Sequence, residues 1–188
     1  MLYDNALLTS VYLHAWQETS TQLYRSVIGE TLEYVLREMT HDNGGFYSAQ
    51  DADSEGKEGK FFVWLSQDVE ALLGKEDGAI FKAFYDVSDF GNWEGQNILH
   101  VPELFEDMSE KLGVSESDLL TVLARSRSKL LASRGERIRP GLDDKVLASW
   151  NGMMMASFAE CGSVLGEQRW VEAAIRNAEF VLTELRVK

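Results

Sequence analysis

An all-α fold of helical hairpins, carrying one small β-hairpin, is what this sequence predicts. Three observations carry the expectation. Only two prolines, Pro102 and Pro140, occur in 188 residues, and proline is the strongest breaker of a helix interior. Apolar residues recur at the helical period over most of the chain. The first pair of helical segments also overlies the last pair at an offset of 146 residues, which is how a repeated α-hairpin shows itself.

Each element follows from local pattern. Leu7, Leu8, Val11, Tyr12 and Ala15 place a helix over 2–18. Leu23, Tyr24, Val27, Ile28, Leu32, Val35, Leu36 and Met39 place a second over 20–39, stopped by His41-Asp42-Asn43-Gly44-Gly45. Residues 45–49 and 60–64 are short and aromatic-rich and flank a polar stretch, so a β-hairpin is expected over 45–64. Ser66 stands where it can cap a short helix to 73, and another short helix covers 77–86. Residues 86–102 read as irregular, broken by Gly91, Asn92, Gly95 and Asn97. A helix over 103–112 follows, and Ser115 with Asp118 opens one over 115–133. After a loop over 135–142, Asp143 or Asp144 caps a helix over 144–165. That helix is apolar on nearly all sides, through Val146, Leu147, Met153, Met154, Met155, Phe158 and Cys161 among others, and is expected to be an inner, buried one. Gly166 ends it, and a last helix covers 167–186. The 188 residues are read as one domain.

The repeat has six identities in 35 positions, among them Asn5/Asn151, Gln22/Gln168 and Glu33/Glu179. The apolar pattern agrees at Leu7/Met153, Leu8/Met154, Tyr12/Phe158 and Tyr24/Trp170. Repeated α-hairpins are the unit of solenoids and α/α toroids. In successive antiparallel hairpins, the end of each second helix and the start of the next first helix lie on one rim. Tyr3-Asp4-Asn5, the loop over 50–59 and the segment over 137–150 therefore fall on that rim, where function is to be sought.

Charge and composition exclude several classes. Eighteen Lys and Arg against 31 Asp and Glu give a net charge of −13, which disfavours nucleic acid and anionic membranes as partners. The single Cys161 excludes an internal disulfide, and three scattered histidines make a Cys/His zinc site a poor fit. No apolar run approaches the ~20 residues that span a bilayer. Met1-Leu2-Tyr3-Asp4 does not open like a signal peptide, and a cytoplasmic location is expected.

Three segments carry candidate chemistry. Asp51-Ala52-Asp53-Ser54-Glu55-Gly56 begins like an EF-hand loop, but Phe62 stands where the bidentate glutamate belongs, so that reading is rejected. A looser cation site, a solvated acidic turn and a loop reaching over a cleft remain open. In the second segment, Arg137, Arg139, Asp143, Asp144 and Lys145 lead into Trp150-Asn151-Gly152. It reads either as helix capping or as a polar network at the mouth of a site. Asn151, in an apolar helix, must find buried partners or face a cavity. The third, Phe90-Gly91-Asn92-Trp93-Glu94-Gly95-Gln96-Asn97, has the composition of a sugar-binding strip, with Trp93 either stacking on a sugar or plugging the loop onto the core. No Ser/His/Asp order, phosphate loop or Cys-x-x-Cys is present.

Five motifs, in order, resemble one family. They are Met1-Leu2-Tyr3-Asp4-Asn5-Ala6, the run from Gly44 through Gly56, Gly59-Lys60-Phe61-Phe62-Val63-Trp64, Gly91-Asn92-Trp93-Glu94-Gly95, and Asp143-Asp144-Lys145 through Gly152. Together they are similar to the spermatogenesis-associated protein 20 (YyaL-type) family, and the likeness covers essentially the whole chain. The resemblance implies a thioredoxin-like domain followed by an α/α toroid similar to six-hairpin glycosidases and N-acylglucosamine 2-epimerases. This chain would be a middle part without the thioredoxin-like domain, about half of the toroid, with the β-hairpin on one rim. The catalytic histidines of the epimerases find no matching local motif at His14, His41 or His100.

The expected function is therefore carbohydrate handling by an epimerase-like or glycoside-hydrolase-like rim, through analogy of fold. The candidate acids and bases are Asp51, Asp53, Glu55, Asp143 and Asp144. The candidate substrate-binding residues are Tyr3, Asp4, Asn92, Trp93, Glu94, Asn97, Lys145, Trp150 and Asn151. No cofactor and no metal are assigned, and a small-molecule carbohydrate is the expected partner. The competing expectation is a non-catalytic scaffold or carbohydrate-binding module. Open toroid edges are expected to favour self-association.

Overall fold

A computed structural model of the chain describes residues 1–186. Eight α-helices occur among them: α1 (Leu2–Thr19), α2 (Gln22–Glu38), α3 (Ser66–Leu73), α4 (Lys75–Phe84), α5 (Phe105–Leu112), α6 (Glu116–Gly135), α7 (Ala148–Leu165) and α8 (Gln168–Phe180). A π-helical turn, Val181–Leu185, extends the last. Four two-residue strands complete the set: β1 (Ala49–Gln50), β2 (Asp53–Ser54), β3 (Lys57–Glu58) and β4 (Leu142–Asp143). The fold is all-α with a small β-hairpin. No described helix is long and apolar enough to cross a membrane.

The chain forms two compact units, one from residues 1–51 with those from 141 onward, the other from residues 52–140. In the first, α1 pairs with α2, α7 pairs with α8, and α1 packs on α7. This is the arrangement expected of two neighbouring hairpins. Their core joins Leu2, Leu13, Ile28, Leu32, Val35, Phe46, Met154, Phe158 and Trp170, with Phe46 stacked on Phe158 at 5.2 Å. The short turns at Ser20 and Gly166 are both left-handed, and each ends its helix with a backbone hydrogen bond to the preceding turn. The repeat is visible in one detail of chemistry. Asn5 donates to the carbonyl of Met1 at 2.8 Å, and Asn151, its counterpart, donates to that of Leu147 at 3.0 Å.

The second unit packs α3, α4, α5 and α6 around Trp64, Val69, Phe81, Phe84, Met108, Leu119 and Leu123. Ser115 caps α6, its hydroxyl accepting from the Asp118 backbone N–H at 3.1 Å, as the sequence predicts. Ser66 does not cap α3. It is the first helical residue, and its hydroxyl donates to the Asp89 carboxylate at 2.6 Å. Asp77 of α4 takes a paired contact from the Arg125 guanidinium of α6. That hydrogen bond holds the Asp77 carboxyl below its ordinary value. A depressed carboxylate stabilises the fold above its unfolded pKa and loses that contribution as pH falls through the folded value. Asp77→Asn is therefore expected to flatten the acid side of the stability–pH profile, measured by urea unfolding over a pH series.

Two expectations about local structure are corrected. The aromatic segments flanking the polar loop do not pair with one another. Phe46 is buried in the first unit, while Phe61, Val63 and Trp64 are buried in the second, so each segment serves a different core. The hairpin instead lies inside the polar stretch, where β2 pairs with β3 across Glu55 and Gly56, with φ values of 54° and 73°. Two positive φ values at the centre mark the mirror-image turn that suits a two-residue hairpin. Nor does either Asp143 or Asp144 cap α7, which begins at Ala148 with Leu147 in the cap position. Pairing of β4 with β1 holds residues 142–143 extended, which delays the helix.

Candidate functional site

The rim of the first unit is built by the segments that enter and leave its helices. The N–H of Leu2, opening α1, donates to the carbonyl of Ser48 at 2.8 Å. The Ser48 N–H and hydroxyl both donate to the Asp143 carbonyl, at 3.2 and 3.1 Å. Asn151, in the first turn of α7, clamps Phe46, accepting from its N–H at 2.8 Å and donating to its carbonyl at 2.9 Å. The start of α1, the segment after α2 and the approach to α7 are thus bonded together on one rim.

Six of the residues predicted for the site lie in the segments that build this rim. Tyr3 and Trp150, from the first turns of α1 and α7, form an edge-to-face pair with ring centroids 4.8 Å apart. Asp4 lies beside Tyr3 in the first turn of α1. Asp143 lies in β4, its carboxylate 2.9 Å from the Lys145 ammonium, and the Lys145 backbone N–H also donates to it at 3.3 Å. The hydrogen bond from Lys145 holds the Asp143 carboxyl below its ordinary value, so it is ionised at neutral pH. Asp144 follows it and is exposed.

Asp51 joins them through the ladder. Its N–H donates to the Gly141 carbonyl at 2.8 Å, which continues the register Ala49↔Asp143 and Gln50↔Leu142. Asp51 therefore stands opposite Gly141, and Asp143 opposite Ala49, on the same face of the ladder. Diagonal neighbours of this kind lie about 7–8 Å apart. Two residues that the sequence did not single out sit beside them. The Tyr34 hydroxyl donates to the Gln50 side-chain carbonyl at 3.1 Å, and Ser48 anchors Asp143. Ser48 lies within the Gly44-to-Gly56 motif, but its role depends on a segment 95 residues away in the chain, which local pattern does not reveal.

The amides predicted to take sugar hydroxyls are engaged elsewhere. Asn151 is fully buried and bonded to Phe46, Leu147 and Asn177. In the second unit, Asn97 is 1% exposed, bonds the Trp64 carbonyl and both backbone groups of Ser88, and fixes that loop. Asn92 clamps the N–H and C=O of Ile98 at 2.8 and 2.9 Å. Trp93 lies against Gly59, whose added Cβ would fall 3.1 Å from its ring. Glu94 and Gly95 have φ of 49° and 77° in a tight turn bridged by Trp93 and Gln96. This segment is thus a turn plugged onto its own unit rather than an open sugar strip.

The acidic hairpin is likewise structural in its contacts. Glu55 pairs with Lys60 at 2.7 Å, both partly exposed, a kind of pair worth little. Asp53 faces Glu58 in the β2–β3 register. No group of three or more His, Cys, Asp or Glu side chains that could hold a metal ion occurs among the described residues, so Asp51, Asp53 and Glu55 do not form the looser cation site. Arg137 also leaves the predicted polar mouth. It donates to the carbonyls of Phe61 and Val63 at 3.0 and 2.8 Å and lies 3.9 Å over the Trp64 ring.

Comparison with known proteins gives the same family as the motifs. The chain is 34% identical to human spermatogenesis-associated protein 20 over 96% of its own length, and equally so to the rat protein. The chain is homologous to a segment of the spermatogenesis-associated protein 20 family. It spans about a quarter of these curated relatives, 26% in each case. An uncharacterised protein of Caenorhabditis elegans, B0495.5, is 27% identical over the same share of the chain. No family model matches. Within the spermatogenesis-associated protein 20 resemblance, the structure divides the five motifs between the units. The opening Tyr3-Asp4-Asn5 and the Asp143-to-Gly152 run lie on one rim, while Gly91-Asn92-Trp93-Glu94-Gly95 builds a turn in the other unit.

Proposed function

We propose that the first unit is a carbohydrate-handling domain, made of two adjacent hairpins of an α/α toroid, with its ligand on the rim between α1 and α7. The observation that carries this reading is the Tyr3–Trp150 ring pair in the first turns of α1 and α7, with Asp4 in the same turn as Tyr3 and the Asp143–Lys145 ion pair in the segment that leads into α7. Aromatic faces take the C–H surface of a sugar ring, and carboxylates and ammonium groups take its hydroxyls.

The arrangement favours glycosidase-like chemistry over epimerisation. Asp51 and Asp143 share one face of the β1–β4 ladder, at a diagonal Cα–Cα spacing of about 7–8 Å, which sets the range of separations their carboxyl groups can take. Inverting glycosidases hold their two carboxyl groups about 6.5–9.5 Å apart, with a water between. Asp143, kept ionised by Lys145, suits the base that activates water, and Asp51 the acid that protonates the leaving oxygen. An epimerase would need a histidine beside the sugar. His41 instead accepts the Asn43 N–H at 3.0 Å inside its own turn and packs near Tyr47 and Phe180. The same toroid reading includes self-association through the open helix edges.

The test is melting temperature against a panel of neutral mono- and oligosaccharides, since a ligand raises stability by mass action. A sugar-dependent rise that Trp150→Ala abolishes is expected. Release of a chromophoric aglycone that Asp51→Asn and Asp143→Asn each lower by about 10²-fold or more would establish the acid–base pair. A shift without any turnover would reduce the unit to a binding module. Absence of any shift across the panel sinks the carbohydrate reading.

A further inference from the structure

We propose that Ser48 is a positioning residue of the rim site, its buried hydroxyl holding Asp143 as an ionised, fixed base for the attacking water. The inference rests on the carbohydrate reading above and deepens it.

Ser48 is 2% exposed and joins segments that build the rim. Its carbonyl accepts the Leu2 N–H at 2.8 Å, which fixes the turn that carries Tyr3. Its N–H and its hydroxyl both donate to the Asp143 carbonyl, at 3.2 and 3.1 Å. The N–H alone ties the two segments together, and alanine would keep that bond. A buried hydroxyl has to recover its desolvation through the bonds it makes. The hydroxyl is therefore the part of Ser48 that the backbone does not account for.

The Asp143 carboxylate accounts for it. Lys145 is the larger influence holding that carboxyl below its ordinary value, and a hydrogen bond from the Ser48 side chain acts in the same direction, against the opposing effect of desolvation. The charged groups on the surrounding segments are Asp144 and Lys145 on its own segment, Asp51 just after β1 and Asp4 in the first turn of α1. Among them, the charge that acts on Asp143 is that of Lys145. The two partners hold the carboxylate in different ways. Lys145 is exposed, so its attraction is screened by salt. Ser48 is enclosed and neutral, so its hydrogen bond is not. In the inverting reaction, Asp143 takes a proton from the water as the water oxygen bonds to the anomeric carbon. The bond from that carbon to the leaving oxygen breaks, and Asp51 gives its proton to that oxygen. Asp143 has to be ionised and in place at that moment, and Ser48 serves both needs from one position.

Carbon-13 NMR of the aspartate carboxyl groups over a pH series reads this directly, with Asp143 assigned by the signal lost in Asp143→Asn. Ser48→Ala keeps the backbone bonds to Leu2 and Asp143, so it is expected to fold. Its Asp143 is expected to titrate at higher pH than in the unmodified chain. The difference is expected to persist in about 1 M salt, where the Debye length is about 3 Å. Ser48→Thr keeps the hydroxyl and is expected to restore the unmodified titration. With a chromophoric glycoside, the rise of kcat/KM with pH is expected to move upward in Ser48→Ala together with the carboxyl, because the base acts only when ionised. A Ser48→Ala chain whose Asp143 titrates unchanged would overturn the proposal. So would a difference that vanishes in high salt or that Ser48→Thr does not reverse. Absence of both turnover and sugar-dependent melting sinks the carbohydrate reading, while the carboxyl titration scores Ser48 without any sugar, so the two failures are distinguishable.

Discussion

Asn151→Ala is expected to cost about 3–5 kcal/mol of stability, from the partners it leaves unbonded in the core. The side chain is fully buried and accepts from the Phe46 N–H and from Asn177 Nδ2, both at 2.8 Å. It donates to the carbonyls of Phe46 and Leu147. Removing it strands the Phe46 N–H and C=O and one N–H of Asn177, which keeps only its bond to the Gly44 carbonyl at 2.9 Å. Each buried unsatisfied group costs about 1–3 kcal/mol, and the lost side chain adds a small cavity. The loss also reaches the rim. Phe46 leads into Ser48, and Ser48 fixes both Leu2 and Asp143. Equilibrium unfolding in urea measures the cost. A loss below about 1 kcal/mol would show that the network is solvated rather than sealed. Asn151→Asp tests the same network differently, because an ionised carboxylate there cannot donate to the Phe46 and Leu147 carbonyls.

That prediction shows what could be read from the sequence. A polar residue in an otherwise apolar helix announces itself, so Asn151 was legible as a residue needing buried partners. Which partners it takes was not legible, since Phe46 lies 105 residues away and Asn177 sits in another helix. The helices and the repeat were readable because amphipathic spacing is local. Helix starts were less so. Asp143 looks like a cap, and only its pairing opposite Ala49 keeps it extended. The division of the acidic and aromatic motifs was hidden for a related reason. Phe46 and Trp64 come from segments with the same composition signal, yet they enter different cores. Carboxylates were readable as candidates from residue type alone. Only the register put Asp51 and Asp143 on one face while Asp53 went into β2 and Glu55 into the turn that follows it.

Two glycines in α7 are expected to respond to alanine with opposite signs. A Cβ at Gly162 would fall 2.7 Å from Val171 Cγ2, 2.8 Å from the Val171 backbone N and 3.1 Å from the Glu167 carbonyl oxygen. The Val171 side chain can rotate away, but its backbone N belongs to α8 and moves only if the α7–α8 pair opens. Gly162 also accepts the Glu167 N–H at 2.9 Å through its own carbonyl, so opening the pair disturbs the turn at Gly166. Gly162→Ala is expected to destabilise by about 2–3 kcal/mol, and Gly162→Val by more, as overpacking does. The repeat explains why the residue is small here and not in the first hairpin. Its counterpart is Trp16, a partly buried ring packed against the core, where α7 has no side chain at all. A Cβ at Gly152 meets nothing within 4 Å, and its counterpart on α1 is Ala6. Gly152→Ala therefore adds no clash and removes backbone freedom from the unfolded chain, for an expected gain of about 0.5–1 kcal/mol. Urea midpoints of the two single variants, at equal protein concentration, check both signs. Equal effects at the two sites would mean that helix propensity governs the response, and that α7 and α8 do not make the close contact on which the second hairpin is built.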